Sequence, residues 1–217
     1  MKKPVILHYH GSEIRNKTSS KFVDNFVEHI YVSTPDLLKS VQNAEWLPNP
    51  VNLKKIGYSD SVTNKKLVVL HAPSNRKIKN TKAVIESIDI LKNEGIEIEL
   101  NLAENVGHEK LMQMISQSNI VIDWVNPDFG IYGVLSIESM AIGRPVICTL
   151  TESLYKEYDL PIINCSPSDL SNTLRSLYSN RDKLIDKGKL GHDFAHKYHD
   201  SSEIAKKVIN RYESIIG

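Results

Sequence analysis

The sequence predicts an α/β fold in which a parallel sheet carries helices on both faces. Two observations predict it. From residue 66 onward, apolar strand-like runs alternate with stretches of helical spacing, the pattern of parallel strands joined by crossover helices. The segment Gly130-Ile-Tyr-Gly-Val-Leu-Ser-Ile-Glu138-Ser-Met-Ala-Ile-Gly143-Arg-Pro-Val146 then reads as a glycine-rich loop, a short helix, a glycine stop and a new buried strand. With 217 residues, 41% of them hydrophobic, the chain can form one large or two small domains with a proper core.

The elements follow in order. Val5-Ile6-Leu7-His8-Tyr9-His10 reads as a buried strand ending at Gly11. Phe22, Val23, Phe26, Val27 and Ile30 recur at helical spacing and predict a helix over 22–30. Ile30 to Thr34 is a second strand, followed by a short helix from Pro35 with Thr34 as its cap. Ala44 to Leu47 is a third strand, ended by Pro48-Asn-Pro50. Residues 52–65 are polar, with Gly57, Ser59, Asp60 and Ser61, and read as a linker.

Leu67 to His71 is a strand, and residues 72–81 form a loop from its end to the next helix. That helix, Thr81 to Asn93, puts Val84, Ile88 and Leu91 on one face and stops at Gly95. Ile96 to Leu102 is a strand, His108 to Gln117 a helix and Ile120 to Val125 a strand. After the glycine-loop helix come strands at Val146 to Leu150 and Leu160 to Cys165. Residues 168–216 read as helices broken near Gly188 and Gly191.

Composition excludes several functions. Basic and acidic residues nearly cancel, 27 against 26, and no basic stripe interleaved with aromatics appears, so nucleic acid is not an expected partner. The cluster Arg76, Lys77 and Lys79 is local and fits phosphate binding better. No apolar run reaches the ~20 residues a membrane span needs. Met1-Lys2-Lys3 precedes an apolar run that His8, His10 and Gly11 interrupt, so it is not a signal peptide. Cys148 and Cys165 lie in apolar runs and read as reduced thiols of a cytosolic protein.

The glycine-rich segment carries the chemistry. Gly130 and Gly133 leave the backbone open to close ligand approach. The helix that follows aims free N–H groups and its positive dipole end at the loop, a ready phosphate site. Glu138 sits about a turn and a half into that helix, where a carboxylate can hydrogen-bond a sugar hydroxyl. Asp123-Trp124 ends a strand near the loop, and its carboxylate could orient the loop or a hydroxyl, cap a helix or shape a turn. His8 and His10 share a strand face, but no carboxylate or cysteine at suitable spacing completes a metal site, so none is expected. His196 and His199 read as surface histidines.

The segment resembles the donor-site signature of retaining GT-B glycosyltransferases of family 4, which runs Glu-x-Phe-Gly, four residues, Glu-Ala-Met-Ala-x-Gly-x-Pro-Val. Tyr132-Gly133 stand for Phe-Gly and Glu138-Ser-Met-Ala-Ile-Gly-Arg-Pro-Val for the rest. Gly130 stands where the family has its first Glu, which contacts the transferred sugar; Asp128 is two residues out of register. The resemblance implies that Glu138 holds the ribose. It implies that the loop amides of Ile131, Tyr132, Gly133 and Val134 hold the diphosphate together with Lys79, with Arg76 assisting. Lys79-Asn80 matches the family's Lys-Gly, while Ser74 occupies its usual Arg place. Glu104, Asn105 and Val106 fall at the base-binding rim, and His10, the catalytic candidate, faces the donor sugar.

Pro4 to Arg15, Val32 to Leu38 and Glu45 to Val51 resemble the end of the family's N-terminal acceptor domain. The implied layout is Rossmann-like throughout. Residues 1–51 would be the remnant of an incomplete acceptor domain, 52–65 a linker, 66–200 the donor-binding domain and 201–217 a helix returning toward the N-terminal part. The implied activity is hexosyl transfer, with retention, from a UDP- or GDP-linked sugar to a glycan, lipid or small-molecule acceptor, as in polysaccharide biosynthesis. No cofactor beyond the sugar nucleotide is implied, and the expected location is the cytoplasm or the inner membrane surface. A homodimer or a partner chain would supply the missing half. Two alternatives stay open: a non-catalytic or truncated nucleotide-sugar binding module, and a sugar-nucleotide epimerase of similar fold.

Overall fold

Among the described residues, eight short parallel strands and the helices between them organise the protein. The computed structural model describes residues 3–11, 13–15, 17–20, 25–59 and 65–217. The chain divides into two compact units, 1–52 with 198–217, and 53–197.

The smaller unit has a parallel sheet in the order β1 (Ile6–Tyr9), β2 (His29–Val32), β3 (Glu45–Trp46). Alternate residues of β2 serve opposite faces, as the period of a strand requires. Ile30 and Val32 meet Ile14, Leu37 and Val41, whereas Tyr31 packs with Leu47 and with Ile204 of the last helix. Of the helix expected over 22–30, Phe22 and Val23 lie outside the described residues, as do Met1, Lys2, Asp60 and Ser61. Its second half is not helical: the Glu28 amide donates to Val5 O (2.8 Å), so the chain is already entering the ladder beside β1. The turn after Thr34 is a 3₁₀ helix, Pro35–Lys39, without a bond to the threonine side chain.

Among the described residues the larger unit holds five parallel strands: β4 (Leu67–His71), β5 (Ile98–Leu102), β6 (Ile120–Ile122), β7 (Val146–Cys148) and β8 (Ile163–Asn164). Their order across the sheet is β5-β4-β6-β7-β8. The described helices of this unit are α1 (Arg76–Lys79), α2 (Thr81–Asn93), α3 (His108–Ser116), α4 (Val134–Ile142), α5 (Glu152–Glu157), α6 (Leu170–Ser179) and α7 (Lys183–Tyr198), while the last helix, α8 (Ser201–Ile216), belongs to the smaller unit. On one face Leu67, Val69, Ile120, Ile122 and Ile147 pack with Val84, Ile88 and Leu91 of α2 and Leu170 and Leu174 of α6. On the other, Leu70 and Val121 pack with Ile115 of α3 and Ile142 of α4. Burial on both faces explains why β4, β6 and β7 are apolar at nearly every position.

The structure departs from the sequence reading at several places: β5 starts later, at Ile98, and β6 and β7 end earlier, at Ile122 and Cys148. Strand β8 is shorter than expected, since Pro161 brings no amide N–H to the ladder. Helix α1 interrupts a stretch read as a loop, and α5 forms between two expected strands where the sequence reading placed no element; Asn75 and Thr151 cap them with side-chain oxygens that accept backbone N–H bonds. Helix α7 runs unbroken through Gly188 and Gly191. A Cβ on Gly188 would lie 2.1 Å from Gly143 O, and one on Gly191 would lie 3.1 Å from Met140 Cγ. These glycines let α7 approach the end of α4, rather than ending a helix.

Candidate functional site

Strand order locates the site. With β4 between β5 and β6, and β6 between β4 and β7, the connections leaving β4 and β6 diverge in opposite directions across the sheet. The carboxyl ends of strands at such a reversal form a crevice where ligands bind. Two loops meet there: 72–80, which contains α1, and 123–133, which contains the glycines.

Their junction is an ion pair. Lys79, at the end of α1, directs Nζ onto Asp123 Oδ1, with side chains only 7% and 0% exposed. The other Asp123 oxygen accepts from the Ser136 hydroxyl (2.6 Å) and the Gly133 amide (3.3 Å). Asp123 thus ties the first turn of α4 and the loop before it to Lys79. The ammonium also lies 4.0 Å from the centroid of the Trp124 ring, a cation–π contact in a buried setting. The sequence reading left Asp123 with several roles open; it is the hub of this end of the sheet. Behind it the Cys148 thiol, wholly buried, is pushed up to about 12 by desolvation and then by the Asp123 charge, so it stays protonated. Cys148 and Cys165 are both free thiols.

Both loop glycines pack against the protein where a side chain would project. Gly130 has φ +59°, and a Cβ there would lie 2.4 Å from Thr151 Cγ2. Its carbonyl accepts from the Thr151 amide (3.1 Å). A Cβ on Gly133 would lie 2.8 Å from Trp124 Nε1 and 3.3 Å from Asp123 Oδ2. Ile131 and Tyr132 are buried, and burial pushes the Tyr132 phenol well up, whereas Val134 is exposed where α4 begins.

Glu138 lies a turn further along α4, nearly buried, and bonds His108 Nε2 through Oε1 (2.7 Å). His108 opens α3, which packs beside α4. Sequence reasoning gave it no role; its only signal was its place at a helix start after a strand end. Arg76 does not reach the ion pair. It forms an exposed two-pronged pair with Glu104, Nε to Oε1 at 2.8 Å and Nη2 to Oε2. His71, at the end of β4, is the second residue the sequence did not single out. Its Nδ1–H donates to Ile122 O (2.8 Å) and its Nε2 accepts from the Thr81 hydroxyl (2.9 Å). Burial lowers its pKa and keeps the ring neutral, so it pins β4 to β6 and to the start of α2.

His10 belongs to the smaller unit, beyond the end of β1. Its amide bonds Glu13 Oε1, and its ring lies 4.2 Å from that of His8. Burial and the neighbouring His10 lower the His8 pKa to about 4. Among the described residues no group of three or more His, Cys, Asp and Glu could hold a metal ion. His199 corrects the surface reading: it is buried, bonds Asn49 O through Nδ1 (2.9 Å), and desolvation lowers its pKa to about 4.

Comparison with known proteins bears on this arrangement. No family model matches the sequence, and no curated protein does. Solved structures do match. Sucrose-phosphate synthase from Thermosynechococcus elongatus superposes with a TM-score of 0.71 at 15% identity, over 97% of this chain and 67% of that one. Anabaena HepE in complex with UDP-glucose gives 0.75 at 12% identity, over 97% of this chain and 72% of HepE. The C-terminal domain of the glycosyl transferase group 1 protein LpcC from Francisella tularensis gives 0.51 at 16%, over 70% of this chain and all of that domain. At these identities the likeness is one of fold: the chain has the Rossmann-like GT-B architecture of these glycosyltransferases. No helix among the described residues is long and apolar enough to cross a membrane.

Proposed function

We propose that the protein transfers a sugar, with retention, from a UDP- or GDP-linked donor to an acceptor. The observation that carries this reading is the buried Lys79–Asp123 hub, which joins the loop after β4 to the loop and helix after β6 beside Glu138. The GT-B fold supports it, and HepE was solved with UDP-glucose bound. Departure of a nucleotide diphosphate builds negative charge on the leaving phosphate while the sugar becomes oxocarbenium-like. A fixed ammonium and a helix N-terminus aimed at that phosphate lower the barrier without reorganising. Lys79 is fixed in advance by Asp123 and Trp124, and α4 supplies the N-terminus. Glu138 takes the ribose diol, and Arg76, once released from Glu104, assists at the diphosphate. His10 takes a sugar hydroxyl or the proton in transfer. The donor is the substrate, and the reading calls for no resident cofactor. The acceptor, the hexosyl nature of the sugar, a cytoplasmic site of action and a partner subunit all belong to the proposal.

A second reading has an observation of its own. Gly130, at the family's sugar-contacting Glu position, has its side-chain space filled by Thr151, which favours a non-catalytic nucleotide-sugar binding module. Incubation with UDP-glucose and GDP-mannose, followed by phosphorus and proton NMR, separates the two. Transfer chemistry predicts nucleotide diphosphate release above the protein-free rate, the α anomer forming first, with release lost in Lys79→Met. Binding of a sugar nucleotide without release would favour the module. An epimerised sugar nucleotide would replace both.

A further inference from the structure

The proposed donor site has one contact that neither the glycine loop nor the ion pair explains. The Glu138 carboxylate, 11% exposed, spends Oε1 on His108 Nε2 at 2.7 Å, while the imidazole itself is 68% exposed. His108 is the only hydrogen-bond partner of Glu138 among the described residues, which leaves Oε2 without one. A glutamate on a helix turns about three side-chain bonds, and a free carboxylate must be ordered when a ligand arrives. A carboxylate already held at one oxygen avoids that loss, the general basis of preorganised binding. The two residues come from different helices, α3 and α4, so the bond fixes Glu138 against a neighbouring element and not merely within its own turn.

We infer that His108 is a positioning residue for Glu138: it holds one oxygen so that the other is presented to the vicinal hydroxyls of a nucleotide's ribose. The inference rests on the nucleotide reading of the site and adds to it a residue from a separate helix. It also separates two effects of removing the imidazole. Loss of general stability would weaken every nucleotide alike, whereas loss of positioning weakens only the part of the affinity that comes from the diol.

The test titrates UDP and GDP, and the 2′,3′-dideoxy form of whichever binds, into wild type, His108→Ala and His108→Gln, with thermal unfolding as a folding control. His108→Ala is expected to weaken the parent nucleotide ~5-fold, as for the loss of one charged hydrogen bond on a partner group, and to leave the dideoxy form unchanged. His108→Gln, which keeps an N–H donor, should recover binding to within ~2-fold of wild type. Equal weakening of both nucleotides in a folded His108→Ala protein would overturn the inference, as would unchanged or tighter binding of the parent. Failure of wild type to bind either nucleotide would overturn the nucleotide reading itself, an outcome distinct from these.

Discussion

Breaking the Lys79–Asp123 pair is the perturbation with the largest expected effect on the fold. Lys79→Met leaves a carboxylate with no exposed surface, supported among the described residues by the Ser136 hydroxyl and the Gly133 amide. Asp123→Asn leaves the ammonium, 7% exposed, with the Trp124 ring and a neutral amide. Removing one member of a buried pair typically costs about 3–5 kcal/mol, because the remaining charge is neither solvated nor matched. Each single substitution should therefore cost about that much in urea-induced unfolding. The double variant strands no charge, so its loss should fall short of the sum of the singles by about 2–3 kcal/mol, the upper range of direct couplings. The Arg76–Glu104 pair provides the contrast: it is solvent-exposed, and Glu104→Gln should leave the unfolding midpoint where it is. Singles that each cost under about 1 kcal/mol and add in the double variant would refute a buried, coupled pair.

Gly188→Ala places a methyl 2.1 Å from Gly143 O, a backbone atom that cannot rotate away, and should cost about 2–3 kcal/mol, lowering Tm by roughly 5–10 °C in a calorimetric scan. Gly130→Ala combines a left-handed backbone, φ +59°, with the Thr151 methyl, and should cost about 2 kcal/mol. Adding Thr151→Ser removes that methyl while keeping the Oγ1 that caps α5, so it should restore part of the loss in the same unfolding assay. His199 is held neutral, with a folded pKa of about 4 against an unfolded value near 6.5, so the unfolded chain binds the extra proton first. Its stabilisation is complete above pH 6.5 and is lost as pH falls toward 4, amounting to about 2 kcal/mol by pH 5. His199→Asn retains an N–H for Asn49 O and should flatten that part of the stability–pH curve between pH 7.5 and 5.

The sheet of the larger unit was readable because its signals are local. Leu67 to His71 and the face of Val84, Ile88 and Leu91 are set by burial, and the structure has both as the sequence predicts. What stayed hidden depends on partners distant in sequence. Gly188 looks like a break until Gly143 is placed 2.1 Å from its missing side chain. His199 looks like a surface residue until Asn49 O, 150 positions earlier, is found on its ring. The site divides in the same way. Glu138, Lys79 and the loop could be singled out from their motif, but Asp123 acquires its role only when Lys79 and Ser136 converge on it from two elements. His108 carries no motif, and only the packing of α3 on α4 brings it to Glu138.

The most direct test of the nucleotide-donor account is a calorimetric titration of the intact chain with UDP and GDP, repeated on Glu138→Ala and Lys79→Met at a temperature where each variant is folded. The account predicts that one nucleotide binds the wild type and that each substitution weakens it ~10-fold or more, about 1.4 kcal/mol for a lost charged contact. A nucleotide that binds both variants as tightly as wild type, or a folded wild type that binds neither, would contradict it.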